Sequence, residues 1–349
     1  STLMRSSAAS DVYKRQEYHM DDRDMLSRIN YQNGTIEIDG TVYPLRDTDF
    51  PTIDPADPNK LTSEEQNIID GLVSSFRRSE KLQIHTRFLY SVGSIYRRHN
   101  GNLLYHGCIP CDGNGEFMEF SLYSDTPLKG RAFLDWADRL ARQGYFAPDG
   151  SMERLRGLDF LWFLWCGRNS PICGRTKITT FERALIEDKD SYTEPKNPYY
   201  VYYGSEEFCR RILDDFDLHK PWSRIINGHM PVKVKEGEDP RKGGGRLVVI
   251  DGGFCKAYHK QTGIAGYTMF FSSHGMRIAA HEPFTTREEA IHGKKDITSH
   301  SFIVENLPRR LMISDTDAGE GIKRRIEDLN ALLDAYRSGT IKTDSTGRI

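Results

Sequence analysis

A mixed α/β (α+β) fold is what this 349-residue chain predicts, on three observations. Two short apolar runs, Leu103-Leu104-Tyr105 and Ser223-Arg224-Ile225-Ile226, read as strands, and each leads to a histidine beside a glycine: His106-Gly107 in one, Gly228-His229 in the other. Elsewhere, apolar residues recur at helical spacing in several windows. From Leu247 to Glu305 the chain is strand-like again, so helices and sheet share one chain.

The elements follow in order. Residues 17–59 are irregular and rich in Asp, Pro and Gly, with hairpin signals at Asn33-Gly34 and Asp39-Gly40. Thr62-Ser63-Glu64-Glu65 opens a helix with acid in its first turn, and Ile68, Ile69, Leu72, Val73 and Phe76 mark its apolar face. A second helix runs from about Glu80 to Tyr96, and Asn100-Gly101-Asn102 breaks the chain before the strand that delivers His106. Past Pro127 one helix carries Phe133, Trp136, Leu140 and Ala141. The next carries Leu155, Leu158, Phe160, Leu161, Phe163 and Leu164, and is apolar almost all round, which predicts burial on several sides. A helix over Glu206 to Phe216 precedes the strand ending at His229. Residues 233–245 read as a loop. Strands follow at Leu247–Ile250, Gly266–Phe271 and Met276–Ala280, the last two joined as a hairpin through Ser272 to Gly275. A closing helix after Asp315 aligns Ile322, Ile326, Leu329, Leu333 and Tyr336 on one face.

Composition narrows the function. A net charge of −2, from 48 Lys+Arg against 50 Asp+Glu, gives no general pull toward nucleic acid or anionic lipid, so an anionic substrate must be met by a local basic cluster. With 28% charged residues and a mean hydropathy of −0.60, the surface is very polar. Cys108-Ile109-Pro110-Cys111 has the gap of a zinc or redox half-site but no second half. Sparse cysteine, no secretory apolar region and no run long enough to span a bilayer predict a reduced, cytoplasmic setting. Residues 1–16 lack apolar periodicity, and Ser7 to Gln16 resembles a translated adapter sequence. They are set aside from the fold as non-native.

Neutral imidazole is a nitrogen ligand suited to Mn, Zn or Fe, and a glycine at Gly107 or Gly228 would let backbone pass close to an ion. A hydrogen-bonded structural role competes for both histidines. Arg168, Arg175 and Lys177 follow the Trp162 to Cys166 segment, and Lys256 and Lys260 flank Tyr258; arginine grips phosphate with a fork, lysine as a point charge. A solvated basic loop is the rival reading. Asp251-Gly252-Gly253 reads as a tight turn rather than a ligand, Trp162 and Trp165 as core rather than a stacking platform, and the other late histidines as surface or sheet residues.

These strings, in one order, carry a resemblance. Lys81-Leu82-Gln83-Ile84-His85, the two histidine islands, Leu161–Gly167, Thr180-Phe181-Glu182-Arg183, Lys196–Tyr200, Val249–Tyr258 and Thr262–Thr268 are similar to the class III, Firmicutes-type fructose-1,6-bisphosphatases, from about Glu17 to Tyr336. The resemblance implies a calcineurin-like metallophosphoesterase sandwich of two mixed sheets flanked by helices. It also implies a dinuclear site, usually manganese, with His106 and His229 as metal ligands. Arg168, Arg175 and Lys256 are the candidate phosphate contacts. The family's aspartate-bearing elements, its bridging carboxylate and its acid histidine find no match, and are expected upstream of this chain. The expected organisation is therefore a helical insertion over 17–100, the C-terminal part of the metallophosphoesterase domain over 101–337, and a mobile tail over 338–349. The implied reaction is hydrolysis of the 1-phosphate of fructose 1,6-bisphosphate in gluconeogenesis, with this chain inactive alone. A sugar bisphosphate is the expected partner, with no nucleic acid and no membrane, and a homo-oligomer is allowed. A protein Ser/Thr phosphatase or a non-catalytic regulatory domain are the alternatives.

Overall fold

The computed structural model describes residues 18–121, 126–252, 255, 262–283, 286–292 and 298–341. The segment 1–16 and most of the 338–349 tail lie outside them. The fold is mixed α/β, in two compact units: residues 1–95 with 106–202, and residues 96–105 with 203–349.

In the first unit, strands β1 (Ile29–Asn30), β2 (Thr35–Ile38) and β3 (Thr41–Pro44) form an antiparallel sheet. Asp39 and Gly40, both at positive φ, make the tight turn between β2 and β3, as the Asp-Gly signal predicts. Ile29, Ile36 and Ile38 point into a core shared with Leu45 and Ile186. Helix α1 (Ser63–Arg78) starts on a full capping box: Thr62 accepts from the Glu65 N–H, and Glu65 accepts from the Thr62 N–H. Its predicted apolar face is not core, because Ile68, Ile69, Leu72, Val73 and Phe76 are all exposed. The next helix, α2 (Glu80–Val92), stops earlier than predicted. Arg142 donates to the carbonyls of Tyr90 and Gly93 at its end, and Tyr96 begins a strand instead.

Helices α3 (Gly130–Phe146) and α4 (Met152–Cys166) cross at Gly144 and Gly157. A Cβ on Gly157 would fall on the Gly144 backbone and 2.7 Å from the Leu140 carbonyl oxygen, so the glycines permit the contact. Phe133, Phe160 and Phe163 are buried there, each contributing about 1.5–3 kcal/mol. The all-round apolar character of α4 does not mean all-round burial: Trp165 is 69% exposed and Leu158 is also exposed, which corrects the core reading of that tryptophan. Short helices α5 (Thr180–Leu185) and α6 (Tyr199–Tyr202) complete the unit. Buried Glu182 on α5 accepts from both terminal nitrogens of Arg23, at 3.3 and 3.2 Å, and ties the 18–28 segment down.

The second unit holds a five-stranded mixed sheet in the order β4 (Tyr96–His99), β5 (Asn102–Tyr105), β6 (Ile225–Asn227), β8 (Leu247–Val249), β7 (Arg241–Lys242). The three central strands are parallel, and both edge strands are antiparallel to their neighbours. The predicted loop over 233–245 thus contains β7, flanked by two short 3-10 turns. Helix α7 (Glu206–Asp215) is amphipathic, and buries Phe208, Cys209, Ile212 and Leu213. A second, antiparallel sheet orders β11 (Ser299–Asn306), β10 (Gly275–His281) and β9 (Gly266–Ser272). After the short helix α8 (Arg287–His292) and β11, helix α9 (Asp317–Arg337) closes the unit. Among the described residues no helix is long and apolar enough to cross a membrane.

Candidate functional site

The parallel strands β5, β6 and β8 end level with one another: Tyr105 pairs with Asn227, and Asn227 with Val249. Open parallel sheets place their binding residues beyond such carboxyl ends. Short runs of Leu, Ile and Val, buried on both faces, make these strands, and the chain turns polar or glycine-rich as each ends. Asn227 is 1% exposed and its side-chain amide donates to the Tyr105 carbonyl at 3.4 Å. Its own carbonyl accepts from the Ile250 N–H at 2.9 Å. One buried asparagine therefore links the ends of all three strands. Sequence reading passed over it, although an asparagine closing an apolar run is the one signal that could have found it.

Beyond β6, His229 is half-buried and held at φ 67°, the left-handed region that non-glycine residues seldom occupy. Such a conformation costs of order 1–3 kcal/mol and persists only where surroundings enforce it. Here the Met230 N–H donates back to the Gly228 carbonyl, and the Val232 N–H donates to the Asp251 carbonyl at 2.9 Å. Asp251 lies two residues beyond β8, as His229 lies two beyond β6. Its neighbour Gly252 is buried against Gly266, whose Cα would stand 2.6 Å from an added Cβ. That close approach accounts for the glycine after Asp251.

His106 follows directly on Tyr105 and is exposed; it belongs to the first unit, whereas His229 belongs to the second. Gly107 has a packing reason of its own. A Cβ there would collide with Pro171 and lie 3.1 Å from the Ile172 Cα, so the glycine admits a neighbouring backbone segment, to which the Cys108 N–H donates through Pro171 at 2.8 Å. The Cys108 and Cys111 thiols are buried, form no disulfide, and donate to the Ser170 carbonyl and the Asn197 amide oxygen. Burial pushes the Cys108 thiol well up, keeping it protonated and a poor metal ligand.

Three of the basic residues singled out after α4, Arg168, Arg175 and Lys177, are charge-compensated. Arg168 is half-exposed, 3.6 Å from Asp22, and Arg175 lies 3.4 Å from Glu194. Lys177 is buried and donates to Asp39 at 2.6 Å, a bond that holds the Asp39 carboxyl below its ordinary value. Burial pushes the Glu194 carboxyl up, but the hydroxyl and N–H of Thr179, with Arg175 and Arg183, outweigh it and leave a net depression. Of the three, Arg168 has the most free surface. Lys256, with Tyr258 and Lys260, lies outside the described residues. Among the described residues no group of three His, Cys, Asp or Glu side chains gathers that could hold a metal ion. Among the described residues His106 and His229 are therefore imidazole donors without the cluster of carboxylates that a dinuclear centre uses.

The chain matches the family model for Firmicute fructose-1,6-bisphosphatase over residues 8–338. It is 48% identical over 338 residues to proteins named fructose-1,6-bisphosphatase class 3 from Clostridium botulinum strains Loch Maree and 657, an overlap of 97% of this chain and 50% of each relative. The Clostridium novyi protein of that name is 48% identical over 326 residues, 93% of this chain and 49% of its own. The chain thus spans about half the length of the curated relatives it matches. No solved structure matches it.

Proposed function

Because this chain belongs to the Firmicute fructose-1,6-bisphosphatase family, we propose that the protein it represents hydrolyses the 1-phosphate of fructose 1,6-bisphosphate, yielding fructose 6-phosphate and phosphate in gluconeogenesis. The observation that carries the reading is identity at 48% over nearly the whole chain to proteins of that name. In the reaction a water oxygen bonds to phosphorus, the bond to the sugar oxygen breaks, and a proton ends on the sugar hydroxyl. The part assigned to this chain is limited. His106 and His229 would supply imidazole nitrogen to a manganese centre within a metallophosphoesterase sandwich, and Arg168, the more exposed of the two described arginines, would contact phosphate. Manganese, when bound, neutralises charge on the phosphoryl group. On this reading the remaining ligands come from outside the described residues, the chain alone does not turn over substrate, and the protein works in the cytoplasm.

The test compares phosphate release from fructose 1,6-bisphosphate, with manganese supplied, by this chain and by a protein of its relatives' full length. Release by the longer protein alone is expected. A full-length protein that leaves this sugar intact overturns the activity, and release by the short chain overturns the division of labour.

A further inference from the structure

Helix α9 shows a face that none of the described residues covers. From Ile322 through Asp334 every residue is exposed. The bonds that hold the helix among the described residues lie at its start: Thr316 caps the Gly319 N–H, Gly319 is buried, Lys220 pairs with Glu320 at 3.3 Å, and Lys323 donates to the Ser314 carbonyl. Ile322, Ile326, Leu329, Leu333 and Tyr336 follow one another at steps of four, three, four and three, the alternation that defines a coiled-coil seam. They are 44–64% exposed. Most helical stability in proteins comes from packing an amphipathic face, so the apolar stripe calls for a partner of the same period.

We propose that this seam pairs with α9 of a second copy of the chain, forming a parallel two-stranded coiled coil. At the centre of the seam Ile326 with Leu329 gives the β-branched and γ-branched order that favours two strands, while Ile322 and Leu333 at its ends reverse that order. In parallel register the flanking positions set Arg325 against Asn330 and Leu332 against Arg337 of the second helix, so no like charges face each other. The area suffices: with Leu332, six apolar side chains of each copy still offer about 100 Å² apiece, on the order of 1,200 Å² for the pair, where specific interfaces begin.

The experiment is sedimentation of the 349-residue chain across the micromolar range, for the parent, for Leu329→Lys with Leu333→Lys, and for Leu72→Lys on the exposed face of α1. A dimer is expected for the parent and for Leu72→Lys, with dissociation raised about a hundredfold or more in the α9 variant. All these positions are exposed, and unchanged circular dichroism will confirm folding. A monomeric parent, or a dimer untouched by the α9 changes, overturns the proposal. So does a dimer that the α1 change also abolishes, since pairing would then be α1 on α9.

Discussion

Gly107→Ala carries the sharpest energetic expectation, because Gly107 adjoins His106 and its φ is one alanine accepts. Only space opposes the change. The added Cβ would stand 3.0 Å from the Pro171 carbonyl carbon, 3.1 Å from the Ile172 Cα, and closer still to the Pro171 oxygen, where carbon and oxygen ordinarily keep about 3.3 Å or more. All three atoms are backbone, so no rotamer can relieve the clash. The segments must part, and the bond from Cys108 N–H to Pro171 at 2.8 Å goes with them. Losing it with its buried partners left unsatisfied costs about 2–4 kcal/mol, less about 0.4–1 kcal/mol from the stiffer unfolded chain. The net is a loss of about 1–4 kcal/mol. Urea unfolding followed by tryptophan fluorescence reads it, since Trp136 and Trp162 lie in the same unit. Gly113 has nothing within 4 Å of its Cβ position, and Gly113→Ala is expected to be neutral or stabilising by up to about 1 kcal/mol. The reasoning fails if the two variants unfold within about 0.5 kcal/mol of each other.

Three further expectations follow from the same geometry. Glu182→Gln strands Arg23 without its buried partner and should cost about 3–5 kcal/mol, whereas Arg23→Met with Glu182→Leu should cost far less; equal losses in urea unfolding would remove the pair from the account. His229→Gly relieves a left-handed backbone and should leave thermal stability unchanged or raised by about 1 kcal/mol; a drop would make His229 a packing residue. Asp39 and Glu194 have depressed carboxyl values, so their contributions are complete above the unfolded value near about 4 and disappear as pH falls through the lower folded values. Asp39→Asn with Glu194→Gln should therefore flatten the acid limb of stability, and an unchanged limb would count against those ion pairs.

What the sequence disclosed was what local chemistry decides. Thr62 and Glu65 announce α1 because the capping box involves four consecutive residues, and Asp39-Gly40 announces its turn for the same reason. The strand ends at Tyr105 and Asn227 were legible as apolar runs stopped by polar residues. Other features depended on distant partners. The end of α2 is set by Arg142, some fifty positions away, and the compensation of Arg168, Arg175 and Lys177 by Asp22, Glu194 and Asp39. Helical periodicity identified the apolar stripes of α1 and α9 correctly but not their exposure, because period marks a face without saying what covers it. The packing role of Gly107 was hidden for a related reason: its neighbour is Pro171, which no local pattern brings near.

The two edge strands of the five-stranded sheet also govern how the protein keeps to itself. An edge offers unpaired N–H and C=O groups to any passing chain, and proteins blunt it with shortness and positive charge. Here one edge reads Tyr96-Arg97-Arg98-His99, and the other is only Arg241-Lys242. A second molecule approaching either side must bring its own arginines against these. The three apolar parallel strands are thereby shielded from end-to-end growth into fibrils, and association is left to surfaces where side chains, rather than bare backbone, decide the partner.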